Sequence, residues 1–110
     1  MTDIVDAVIL ELKKATVFSS RVYRSWPPVT ALQPVCGVME SVNGERGIDH
    51  HLASWGIQVD SWAKSPSDLV AIKAAIKVVA DKYHSVVYHR AISEAADTHI
   101  VSTFSVLGGF

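Results

Sequence analysis

The chain is poor in the residues that carry chemistry. It holds one cysteine, Cys36, so no disulfide can form within it, and the paired cysteines of a structural zinc site are missing. A lone thiol fits a reducing compartment. Charged residues make up 19% of the 110 positions, below the roughly 25% of an ordinary globular chain. The net charge is -1 with histidine neutral. No strong positive field exists to hold phosphates, which argues against nucleic-acid binding through bulk charge. No apolar run approaches the ~20 residues that span a bilayer, which argues against a membrane partner. Asp3 and Asp6 interrupt the N-terminus, and no basic start precedes an apolar stretch. The expectation is a chain without a signal peptide.

Apolar residues, by contrast, reach 49%. A domain of this length has one core and much surface to cover with polar groups. The surplus reads in two ways: as ordinary variation in a short chain, or as surface that another subunit covers.

The clearest local pattern runs from Ala53 to Tyr83. Ala53, Trp55, Ile57, Val59, Ser61 and Ala63 alternate with Ser54, Gly56, Gln58, Asp60 and Trp62. That period of two predicts a strand with one buried face, which places Trp55 in the core. Ser65 then offers a helix cap, and Pro66 suits the first helical position, where its missing N–H costs nothing. Asp68 adds negative charge at the positive end of the helix dipole. Elsewhere, Ile4, Val5, Val8, Ile9 and Leu12 form one stripe of an amphipathic helix over 2–15, with Leu10 off the stripe. Arg21 to Tyr23 reads as a short strand that Trp26-Pro27-Pro28 brings to a stop. Val35 to Val42 reads as a strand broken in register at Gly37, and Asn43 to Gly47 as a turn and loop. Val86 to Ser93 and His99 to Leu107 predict a hairpin around residues 94–97. Together these predict one α+β domain over 1–110. Its sheet of four to five strands is mostly antiparallel, with two helices packed on one face.

The second helix is apolar on two sides. Leu69, Ile72, Ile76, Val79 and Tyr83 fall within a stripe of roughly 80°. Val70, Ala71, Ala74, Ala75 and Val78 lie opposite, with Lys73, Lys77 and Asp81 as a narrow strip between. The sheet covers the first side. Either the N-terminal helix or a neighbouring subunit covers the second, which makes Val70, Ala74 and Val78 candidate interface residues.

Catalytic and metal-binding patterns are scarce in the sequence. His50 and His51 are adjacent, so on a strand they point to opposite faces. If Ala95-Ala96 form the hairpin tip, His99 faces Ile92 and His89 faces Ser102, again on opposite faces. There is no HExxH motif, no His-x-His and no Gly-x-Ser-x-Gly elbow. Cys36 reads as a small buried thiol within a strand. Asp60 and Gln58 are the best-placed polar pair, and on an outer strand face they are expected to be solvated. The glycines lack the spacing of a phosphate cradle. No cofactor, metal or enzymatic activity is expected. Trp26 and Trp62 stand out as large aromatics off the buried stripes, and such residues are enriched in interfaces.

The order and spacing of several segments nonetheless resemble a known family. These are the opening amphipathic helix, Arg21-Val22-Tyr23, the proline-rich stretch from Trp26 to Pro34, Ile57-Gln58-Val59-Asp60-Ser61-Trp62-Ala63, and the capped helix from Ser65 to Val79. In this order they resemble the tail-completion, or tail-terminator, proteins of long-tailed bacteriophages. The resemblance spans Ile4 to Val79 and weakens in the final hairpin; none of its motifs is catalytic. It implies a structural virion protein that assembles in the host cytoplasm. Copies would form a homo-hexameric ring at the head-proximal end of the tail. The implied partners are the protein itself, the tail tube protein and the head connector, with DNA only passing through the channel. The loop from Val42 to His51, with Asn43, Glu45, Arg46 and Asp49, is expected to contact a neighbour or the tube. Two other readings fit the same features: a head–tail connector of a phage, and a small dimeric ligand-binding module.

Overall fold

The computed structural model describes residues 4–28, 30–40, 54–93 and 98–107. In chain order these form helix α1 (Ile4–Lys13), a 3-10 turn (Thr16–Phe18), strands β1 (Val22–Arg24), β2 (Val35–Glu40) and β3 (Ser54–Ala63), helix α2 (Pro66–Lys82), and strands β4 (Tyr88–Ser93) and β5 (Thr98–Leu107). The strands make one sheet in the order β1-β2-β3-β5-β4. Its ladders are antiparallel except for β1 with β2, which run parallel. The protein is thus an α+β fold with a mostly antiparallel sheet.

The period of two in β3 decides which side carries the core. Ile57, Val59, Ser61 and Ala63 are buried on the helix side. Val22 of β1, Cys36 and Val38 of β2, and Phe104 and Val106 of β5 join them in one cluster. Ile4, Val5, Val8, Ile9 and Leu12 of α1 and Ile72, Ile76, Val79 and Ala80 of α2 close it from above, so both helices pack on the same face. Full burial of a side chain such as Ile72 or Ile76 contributes about 1.5–3 kcal/mol. The Trp55 side chain, expected in this core, lies outside the described residues.

Helix α2 starts as its sequence predicts. Ser65 Oγ accepts a hydrogen bond from the Asp68 N–H at 3.1 Å, and Pro66 holds the first position. At the other end, Lys82 Nζ donates to Glu11 Oε1 at 2.5 Å, joining α2 to α1. An exposed pair of this kind fixes orientation more than it adds stability.

β1 is the parallel member of the sheet. The chain leaves it at Ser25, whose φ of 64° lies in the left-handed region, and its described residues between 25 and 34 form a crossing segment that leads to β2. One expectation needs correction. Gly37 does not break the register of β2, which runs unbroken from Val35↔Trp62 to Glu40↔Ile57. The glycine has another cause. It opposes Asp60, so a side chain there would rise from the face away from the helices. A Cβ at Gly37 would be driven into the Ser25 carbonyl oxygen and come within 3.0 Å of Pro27 Cδ. The crossing segment rests on the strand at this point, and only glycine leaves room for it.

Gly37→Ala is therefore expected to destabilise the domain by about 1–3 kcal/mol through overpacking. Urea unfolding followed by circular dichroism reads this as a lower midpoint at an unchanged slope.

Candidate functional site

The sheet face away from the helices was expected to present solvated polar residues. Asp60, in the middle of β3, is instead only 1% exposed. Its Oδ2 lies 2.9 Å from His99 Nε2, and its Oδ1 accepts a hydrogen bond from Gln58 Nε2 at 2.7 Å. The correction has a physical cause. Asp60 pairs with Gly37, and the crossing segment sits directly over Gly37, so water is kept from the carboxylate. A carboxylate removed from water must find donors, and His99 and Gln58 supply them.

The histidine carries the arrangement outward. Trp62 and His99 are register partners, and their rings stack at 4.4 Å with 15° between planes. Trp26, arriving on the crossing segment, leans on both. Its ring centroid lies 5.7 Å from that of Trp62 and 6.5 Å from that of His99. Trp62 is half-buried and Trp26 is 59% exposed. The two tryptophans singled out in the sequence are thus brought together, held in place by a buried carboxylate that the sequence reading left in water.

An imidazole oriented by a carboxylate is also how a general base is prepared. Here the neighbouring hydroxyl of Ser61 lies on the opposite face of the strand, its Oγ buried without a hydrogen-bond partner. Cys36, opposite Ser61, is fully buried, and burial pushes its thiol well above the usual range, which keeps it protonated. Among the described residues, no group of three or more His, Cys, Asp or Glu side chains could hold a metal ion. No described helix is long and apolar enough to cross a membrane.

The back of α2 is open. Val70 and Val78 are each 69% exposed and Ala74 is exposed between them, so α1 does not cover this side. The face is narrower than the sequence projection, because Ala75 packs against the core and Ala71 is half-buried. It also lies on the opposite side of the sheet from Trp26 and Trp62, so the candidate interface residues form two separate surfaces. Asn43, Glu45, Arg46 and Asp49, with the rest of the loop from Val42 to His51, lie outside the described residues.

Further exposed apolar residues are not marked by any pattern in the sequence. Val86, Tyr88 and Ile92 are exposed large apolar residues at or beside β4, and Leu32 is another on the crossing segment. The hairpin pattern shows that β4 exists, but not that it ends the sheet. The register itself was legible: Ile92 faces His99 and His89 faces Ser102, as a hairpin centred on residues 95–96 requires. His89 Nδ1 lies 2.7 Å from Ser102 Oγ on the helix side. Partial burial, with a smaller contribution from the Lys73 charge, holds the His89 pKa below the ordinary histidine value.

No protein-family model matches the chain, and no curated protein matches its sequence.

Two outcomes are expected. Asp60→Ala should cost roughly 1.5–3 kcal/mol, because His99 and Gln58 lose their buried acceptor. The tryptophan emission should shift with it, and Gln58→Ala should move both readouts less. For His89, the folded protein binds the proton more weakly than the unfolded chain. Its contribution to stability is complete above the ordinary histidine range near ~6.5 and is lost as pH falls through the lower folded value. Thermal melts between about pH 7 and pH 5 should show this decline, and His89→Gln should flatten it.

Proposed function

We propose that the chain is a structural virion subunit, a phage tail terminator. Copies of it would form a ring, a hexamer by resemblance, that caps the tail tube and joins it to the head connector. The observation that carries this reading is the open apolar back of α2. A helix that has already buried one side in the core keeps Val70, Ala74 and Val78 exposed on another. Apolar side chains so arranged favour burial against a protein surface. The Trp26–Trp62 pair lies on the opposite side of the sheet, so the subunit has unlike surfaces facing different ways. Unlike surfaces suit a head-to-tail contact, which closes into a ring when its rotation allows. The segments that resemble the tail-terminator family supply the virion role, and the chain's shortage of catalytic patterns agrees with it.

The test is assembly of the tail tube. Added to polymerising tube protein, the chain should stop elongation and appear as a ring at one tube end in electron micrographs. Val78→Asp should abolish that effect while leaving the melting temperature of the isolated subunit within a few degrees, since exposed substitutions typically change stability by no more than about 0.5 kcal/mol. Tubes that grow to the same length with and without the wild-type protein would reject the reading. Unfolding of the Val78→Asp subunit would show that the back of α2 is part of the core.

A further inference from the structure

We draw no further inference here: the strongest candidate, the aromatic surface patch where Trp26 and Trp62 meet on the sheet face away from the helices, belongs to the site already described, and nothing in the structure shows what covers it.

Discussion

Asp60 sits midway along β3, between β2 on one side and β5 on the other, and it must remain hydrogen-bonded where water does not reach. Much of the molecule is arranged around that requirement. The crossing segment passes over Gly37, Asp60's neighbour, at Ser25 and Pro27, and this crossing excludes water from the carboxylate. His99 and Gln58 then satisfy it, His99 stacks on Trp62, and Trp26 closes the stack from the crossing segment. A buried polar network with every member paired is rigid, whereas one missing partner is costly. The same strand carries the apolar core on its other face through Ile57 and Val59. β3 is therefore covered on both sides, by helices on one and by the crossing segment on the other.

This two-sided cover accounts for what remains exposed. With its centre occupied, the sheet has open surface at its β4 end, and α2 has open surface on its back. Val70, Val78, Val86, Tyr88 and Ile92 all lie in these outlying places. Tryptophan, by contrast, reaches the surface at Trp26 only as the outer member of a stack that the buried carboxylate anchors. Among the described residues, the apolar surplus in the composition is thus divided between a buried core and exposed surfaces.

Much of this was legible from residue spacing. Alternation in β3, the Ser65–Pro66 cap, the stripe of α1 and the pairing of His99 with Ile92 all depend on local periodicity, which sequence records directly. The polarity of Asp60 was legible too, but its burial was not. Burial there comes from a segment some thirty positions earlier in the chain, at a glycine whose role is to admit backbone rather than to bend a strand. The parallel pairing of β1 was hidden for the same reason: Trp26-Pro27-Pro28 announces the end of a strand without saying where the chain goes next. The openness of β4 is a property of strand order, which pattern within a strand does not carry.

In the proposed ring, other copies cover the surfaces that one folded subunit leaves exposed. Sedimentation equilibrium of the purified chain over a wide concentration range tests it most directly. The account predicts a single closed species whose mass is a fixed multiple of 11.9 kDa, forming from folded monomer as concentration rises. A mass that stays at that of one chain throughout would contradict it, as would one that grows without limit.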